Sequence, residues 1–203
     1  EIMKGRHANV LSGNPDPRIP YYWYNQLRPD EEPDNDTEYR DGPFATIYFG
    51  SVGPDRDHNN QNTLSTLGIY PAGGRYDDGG GGFLGTLEEA EDQDAPTGDG
   101  VDGTYGTGAA PYRFLTYADR LFLEAELINR ALAPGNAKEV YENAVWESFK
   151  QVDQVTGMVA ASQVVPKLLS GDTGAVKTYI ANLLTEWDNA GSDEKRLELI
   201  ITQ

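Results

Sequence analysis

Four consecutive aromatic residues, Tyr21, Tyr22, Trp23 and Tyr24, are the strongest candidates for ligand chemistry in this chain of 203 residues. Flat aromatic rings stack on the apolar C–H faces of sugar rings, and tyrosine hydroxyls can orient a ligand by hydrogen bonding. Aromatic residues also pack against one another in protein cores. The cluster therefore predicts either a carbohydrate-binding surface or a packing element.

A second candidate is the segment Gly73 to Gly82, GGRYDDGGGG, whose six glycines permit backbone shapes that other residues rarely adopt. Its polar members could contact a ligand. Asp77 and Asp78 could also bind Ca²⁺ together with backbone carbonyls. The segment is not a phosphate-binding loop, because it lacks the terminal Lys-Ser/Thr pair and carries acids. The alternative is a structural turn. The candidate ligand-binding residues here are Arg75, Tyr76, Asp77 and Asp78.

The sequence offers little that could carry out catalysis. His7 and His58 are the only histidines, there is no cysteine, and neither a Gly-x-Ser-x-Gly nor a His-Glu-x-x-His motif occurs. The acid pair Glu88 and Glu89 lies in acidic sequence with nothing to indicate the burial that a glycosidase needs. We therefore predict a non-enzymatic protein without a cofactor, and Ca²⁺ binding at Asp77 and Asp78 stays an open alternative.

The charge of the chain narrows its partners. A formal net charge of −17 disfavours nucleic acid and anionic membrane surfaces, because both repel an acidic protein. No apolar run approaches the roughly 20 residues that a membrane-spanning helix needs. A soluble protein that binds neutral or cationic ligands fits this composition.

Glycine, proline and tyrosine concentrate in the first part of the chain. Residues 1–115 hold 18 of the 23 glycines, 10 of the 12 prolines and 9 of the 12 tyrosines. We interpret 1–115 as a loop-rich, ligand-facing region and 116–203 as a helical scaffold, together forming one structural domain. A segment with so few periodic apolar runs cannot easily bury a core of its own.

Apolar periodicity predicts four helices in the second part. The first runs from about Thr116 to Ala133, with Thr116 and Asp119 in a capping box, and the second from Asn136 toward Gly157. The third starts near Asp172 or Thr173 and ends at Gly191, and Ser192 caps the last. The predicted fold is mainly α, with tetratricopeptide-like helical hairpins carrying a large loop-rich region, although no strict 34-residue repeat is present.

Short elements are predicted in the loop-rich region. Phe44 to Phe49 (FATIYF) is a β-rich run preceded by an Asp41-Gly42 turn. Ile19 to Tyr24 is either a strand interrupted by Pro20 or an extended aromatic segment. Leu64 to Tyr70 is a short helix or strand.

The phrase Gly108 to Glu126, in which GAAPYRFLTYA leads into LFLEAE, resembles the SusD/RagB family of outer-membrane lipoproteins of Bacteroidetes. Asp16 to Tyr22 (DPRIPYY) and the turn Tyr76 to Gly80 (YDDGG) resemble it as well. The resemblance covers most of the chain, from about Gly13 onward. Since the last predicted helix stops at Gln203 without a terminator, we expect the chain to be a fragment of a longer protein.

This resemblance implies a protein held at the extracellular face of the outer membrane by a lipid on a cysteine upstream of Glu1. It implies glycan capture for a SusC-like, TonB-dependent transporter, with membrane contact only through that anchor. Capture of peptides or protein fragments, and a transporter-docking lid with little ligand affinity of its own, are the alternatives. Ligand contacts vary in the family, so the resemblance assigns no binding residue.

Overall fold

The computed structural model describes residues 1–25, 38–42, 44–48, 64–68, 70, 111–158, 167–169 and 173–203. Within them the chain forms two compact units. The helical unit comprises Glu1–Ile19, Pro111–Gln154 and Pro166–Gln203, and the second unit comprises Pro20–Ala110 and Val155–Val165. The mainly α fold predicted from the sequence is confirmed. The predicted division into a loop-rich part and a scaffold stays a prediction, as does the tetratricopeptide-like arrangement of the helices.

The elements of the described residues, in chain order, are a one-turn helix, four short strands and four longer helices. Helix α1 is Ile19–Tyr22, and strands β1 to β4 are Trp23–Tyr24, Tyr39–Asp41, Phe44–Thr46 and Thr66–Leu67. Helices α2 to α5 are Tyr117–Asn129, Ala137–Thr156, Gly174–Asp188 and Asp193–Thr202.

Helix α2 begins as the sequence predicts. The Thr116 hydroxyl accepts from the Asp119 N–H at 3.1 Å, and the Asp119 carboxylate accepts from the Thr116 N–H at 2.8 Å. These two bonds form the predicted capping box and satisfy backbone groups that the helix itself leaves open.

Helix α2 ends four residues before the predicted Ala133. Ala131 adopts a left-handed conformation with φ +57°. Its N–H donates to the Ile128 carbonyl at 2.9 Å, and the Leu132 N–H donates to the Leu127 carbonyl at 2.8 Å. This pair of bonds is a Schellman motif, which closes the last turn and satisfies its carbonyls. Leu132, which lies beyond the last helical turn, is 71 % exposed as a result.

The apolar stripes of α3 and α4 form the core of the helical unit. Tyr141, Val145 and Phe149 of α3 are fully buried. They belong to one cluster with Leu183 and Trp187 of α4, in which the Tyr141 and Trp187 rings stack with centroids 5.0 Å apart. The apolar periodicity that predicts these two helices therefore corresponds to their buried faces.

Helix α5 buries only some of its apolar residues. Leu199 and Ile200 are buried, whereas Ile201 is 69 % exposed. The start of the helix is as predicted, since the Ser192 hydroxyl accepts from the Lys195 N–H at 3.3 Å. Gly191 adopts φ +67° between α4 and α5, which permits the chain to reverse there.

A buried ion pair fixes the N-terminal segment in the helical unit. Asp16 and Arg18 are about 95 % buried and 2.6 Å apart. The Arg18 guanidinium also donates to the Ser148 hydroxyl at 2.8 Å and lies 4.9 Å from the centre of the Phe149 ring. The Asn14 side chain donates to the Tyr179 carbonyl at 3.0 Å. These contacts make residues 1–19 part of the helical core, which the sequence interpretation of a loop-rich region did not foresee.

The second unit contains two antiparallel strand pairs among its described residues. Strand β1 pairs with β4, and β2 pairs with β3. The predicted strand at Phe44 is present but ends at Thr46, and Gly42 lies in its predicted turn between the paired residues Asp41 and Phe44. The prediction for Ile19 to Tyr24 is wrong in its first part. Pro20 stands at the second position of helix α1, where the missing N–H costs no hydrogen bond.

Two buried tyrosines make the helical unit less stable at alkaline pH. Burial, and second the neighbouring Asp16 carboxylate, raise the pKa of Tyr179 to about 12. Burial is also the largest cause that raises the pKa of Tyr141 above its ordinary value. An unfolded chain loses these protons near pH 10, so the unfolded state is favoured as the pH rises above that value.

We expect the free energy of unfolding to fall between about pH 10 and pH 12. A shift of about two pKa units at Tyr179 corresponds to about 3 kcal/mol lost by the upper end of that range. Urea unfolding at pH 8 to 12 would measure the loss of unfolding free energy. In Tyr179→Phe this loss should be smaller than in wild type by about 3 kcal/mol. Tyr112→Phe is the matched control, because that ring is 92 % exposed. Equal losses in wild type and Tyr179→Phe would contradict the expectation.

Candidate functional site

An aromatic cluster built on the short strands is the candidate ligand surface of the second unit. The Trp23 and Phe44 rings meet edge to face with centroids 5.7 Å apart, and the Tyr39 and Phe44 rings do so at 6.4 Å. All three residues are half-buried. Edge-to-face packing stabilises aromatic pairs and fixes the orientation of each ring. The cluster therefore combines rigid rings with surface left open to solvent.

Trp23 is positioned by its strand pairing and by a close backbone approach. Trp23 pairs with Leu67 in the β1–β4 ladder, and the Gly68 N–H donates to the Tyr22 carbonyl at 2.8 Å. A Cβ on Gly68 would lie 2.8 Å from the Trp23 backbone nitrogen, closer than real Cβ atoms come. Only glycine at position 68 lets the two segments meet and hold the indole in place.

Phe44 is tied to the same region by a serine. The Ser65 hydroxyl accepts from the Ala45 N–H at 3.1 Å and donates to the Asn25 side-chain carbonyl at 2.7 Å. The Ser65 N–H donates in turn to the Ala45 carbonyl at 2.9 Å. These bonds connect the β2–β3 pair to the segment that follows β1. They also bring the Asn25 amide, a group that can donate and accept hydrogen bonds, into the neighbourhood of the rings.

The predicted aromatic residues have different surroundings. Tyr21 is 6 % exposed and packs as a core residue, while Tyr22 and Trp23 are half-buried. Tyr22 faces Tyr70 with ring centroids 4.9 Å apart, and Tyr24 completes strand β1. The other predicted ligand contacts, Arg75, Tyr76, Asp77 and Asp78, lie outside the described residues.

Sequence reasoning missed Tyr39 and Phe44 as members of the aromatic cluster. They are distant from Trp23 in the chain, and an antiparallel register is needed to place both near one face. The available signal was local. Both residues flank the Asp41-Gly42 turn, where an aromatic pair across a hairpin supports the register.

The described residues give no support to a metal centre. They contain no group of three or more His, Asp or Glu side chains that could hold an ion. The predicted Ca²⁺ candidates Asp77 and Asp78 lie outside the described residues.

The helical unit presents a second surface of interest, an exposed apolar patch of residues before and along α2. Tyr112 and Phe114 are more than 90 % exposed. Leu123 and Leu127, one turn apart on α2, are about half exposed and lie opposite the buried Leu121. Exposed apolar groups in such number mark surfaces where soluble proteins bind partners.

Among the helices that the structure describes, none combines the length and apolar character needed to cross a bilayer. Leu123 and Leu127 flank the charged Glu124 and Glu126 on α2, whose other face packs in the protein core.

Comparison with known proteins identifies the family. Residues 81–203 match the family described as SusD-like, the SusD and RagB outer membrane lipoproteins. The match contains the Gly108 to Glu126 phrase, whereas Asp16 to Tyr22 and the Tyr76 to Gly80 turn precede it. Neither the curated proteins nor the solved structures contain a match to this chain. Because the family match spans more than half of the chain, the protein belongs to the SusD-like family of outer-membrane lipoproteins.

Proposed function

We propose that this protein binds glycans without catalysis at the extracellular face of the outer membrane and delivers them to a SusC-like, TonB-dependent transporter. Membership of a family of non-catalytic, nutrient-binding outer-membrane lipoproteins supports the general class. The choice of a glycan as ligand rests on this chain's own residues.

The observation that carries the proposal is the ring cluster of Trp23, Phe44 and Tyr39. Its rings are fixed by edge-to-face contacts and are half-buried, so part of their surface reaches solvent. A sugar binds such a surface by stacking its C–H face on a ring. The hydroxyls of the sugar then hydrogen-bond to nearby amide and hydroxyl groups of the protein. Asn25 and Ser65 supply groups of that kind. Rings that are already fixed lose little conformational freedom on binding, which favours affinity.

The transporter as partner is supported by the apolar patch of Tyr112, Phe114, Leu123 and Leu127. The chain carries a net charge of −17, so an exposed apolar patch stands out on its surface. Binding another protein would remove this apolar surface from water. Aromatic residues are enriched among those that contribute most to protein–protein affinity. The patch and the ring cluster belong to different units, so substitutions can test each separately.

We expect Trp23→Ala to weaken glycan binding by about tenfold or more, as loss of a central aromatic residue does at binding surfaces. A glycan array on the wild-type chain identifies an oligosaccharide, and calorimetry with that oligosaccharide compares the variants. Trp23→Phe, which keeps a flat ring, should retain more of the affinity than alanine does.

Tyr112→Ala is the control for Trp23→Ala, because it removes an exposed ring of the other unit and should leave glycan affinity unchanged. Near-ultraviolet circular dichroism shows whether Trp23→Ala still folds. The proposal is overturned if the array gives no oligosaccharide ligand, or if a folded Trp23→Ala binds as well as wild type. Binding of peptide pools but not glycans would assign peptide capture instead.

A further inference from the structure

A cleft in the helical unit, separate from the ring cluster, has the make-up of a small-ligand site. It encloses about 230 Å³, far more than the roughly 10–15 Å³ that a single water needs. The end of α4, the start of α5 and residues 9–10 form its walls. The polar lining residues are Asn9, Glu186, Asn189, Lys195 and Glu198.

One wall of the cleft is held by an unusual backbone conformation. Leu11 is buried and has φ +54°, a left-handed conformation that a leucine rarely adopts. Its N–H donates to both carboxylate oxygens of Glu186, each at 3.1 Å. This contact ties the N-terminal segment to α4 and places Asn9 and Val10 on the cleft. The wall is therefore built by defined contacts and is preorganised.

The charges of the cleft favour a cationic ligand. Glu186 and Glu198 oppose a single base, Lys195, whose ammonium is 2.8 Å from the Glu198 carboxylate. One negative charge is left over among the lining side chains. The last carbonyls of α4, next to Asn189, add partial negative charge. The N–H groups in the first turn of α5 contribute partial positive charge, which the carboxylates of Asp193 and Glu194 in the same turn offset.

The uncharged lining adds further selectivity. The amides of Asn9 and Asn189 can each donate and accept, which suits ligand hydroxyls. Val10 and Leu199 supply apolar surface next to them. The volume limits the ligand to about the size of one sugar ring, since pockets for larger ligands start at about 300 Å³.

We propose that this cleft binds a small hydroxyl-bearing primary amine, whose ammonium group lies against Glu198 and Glu186. The site is independent of the ring cluster and of the glycan function proposed for it. D-glucosamine is a suitable probe, and D-glucose is its neutral counterpart with a hydroxyl in place of the ammonium.

The test is a titration of the ¹⁵N-labelled chain with each sugar, followed by amide resonances at low salt and about pH 6.5, where an amine is protonated. We expect saturable shifts at Asn9, Val10, Asn189 and Ala190 with glucosamine, and binding of glucose at least about fivefold weaker. Raising the salt concentration should weaken glucosamine binding, because the cleft is partly open to solvent.

Two substitutions should act in opposite directions. Glu198→Gln removes a negative charge and should weaken glucosamine binding about fivefold, whereas Lys195→Gln frees the Glu198 carboxylate and should strengthen it by a similar factor. Glu147→Gln is the matched control. It breaks another ion pair of the same spacing, Glu147–Lys150 on α3, and lies outside the cleft.

Opposite effects of Glu198→Gln and Lys195→Gln cannot arise from a general loss of folding. The proposal is overturned if glucose and glucosamine bind equally, if no resonance of the cleft shifts to saturation, or if Lys195→Gln weakens binding. The last result would show that the lysine, and hence an anion, governs the site. Trp23→Ala should leave glucosamine binding intact, so failure of the glycan proposal would not affect this result.

Discussion

Replacing Asp16 by alanine should lower the free energy of unfolding of this protein by about 3–5 kcal/mol, among the largest effects of any single substitution in the described residues. Asp16 accepts from three groups of Arg18, its N–H at 2.8 Å, its Nε at 2.9 Å and its Nη2 at 2.6 Å. Removing the carboxylate leaves a guanidinium charge in the core without its counter-ion, and the cost of desolvating that charge remains.

Two further contacts of Arg18 are with neutral groups. The guanidinium also donates to the Ser148 hydroxyl and to the Gln203 side chain at 3.1 Å. A neutral partner of this kind satisfies a donor but does not compensate the charge. Water cannot readily solvate the group either, because both Asp16 and Arg18 are about 95 % buried.

Urea unfolding followed by circular dichroism at 222 nm would measure this loss, because the long helices belong to the unit that contains the ion pair. Asp188→Ala is the control. Its ion pair with Lys138 is as short, at 2.7 Å, but its carboxylate is 60 % exposed, so we expect a loss of only about 0.2–1 kcal/mol. Similar losses for Asp16→Ala and Asp188→Ala would contradict the importance of burial.

The helices and the buried ion pair differ in how far the sequence could predict them. Helices α2 to α5 follow from local signals, namely apolar periodicity, the Thr116–Asp119 capping box and Gly191. Such signals act within a few residues and are written in consecutive positions. The mainly α fold and most helix starts were therefore predictable, and the end of α2 was not, because alanine is an unusual residue for the left-handed position of a Schellman motif.

The long-range pairings were outside the reach of pattern reasoning. Asp16 and Arg18 lie in a stretch rich in proline and polar residues, which predicts a loop, yet their partners Ser148 and Gln203 are more than 100 residues away. The ring cluster has the same character. Trp23 was predicted from its aromatic neighbours, but the contact with Phe44 depends on how separate strand pairs pack, and no local pattern encodes it.

We expect Phe149→Ala to cost about 3–5 kcal/mol of the free energy of unfolding, the usual range for deleting a buried aromatic ring. Phe149 is fully buried, meets the Tyr179 ring edge to face at 5.8 Å and lies beneath the Arg18 guanidinium. Urea unfolding at 222 nm is again the measurement. Phe149→Leu keeps most of the volume but loses the ring, so we expect it to cost about 1–2 kcal/mol.

Arg18 couples this ring to the ion pair, and that coupling gives the sharper test. Since Asp16→Ala already disturbs the guanidinium, adding Phe149→Ala should cost less than the two single losses together, by about 0.5–3 kcal/mol. Phe114→Ala, a ring that is 91 % exposed, should change stability by no more than about 0.5 kcal/mol and add independently to Asp16→Ala. Strict additivity of Asp16→Ala and Phe149→Ala would show that Arg18 does not join the two, and that the N-terminal segment and α3 are stabilised separately.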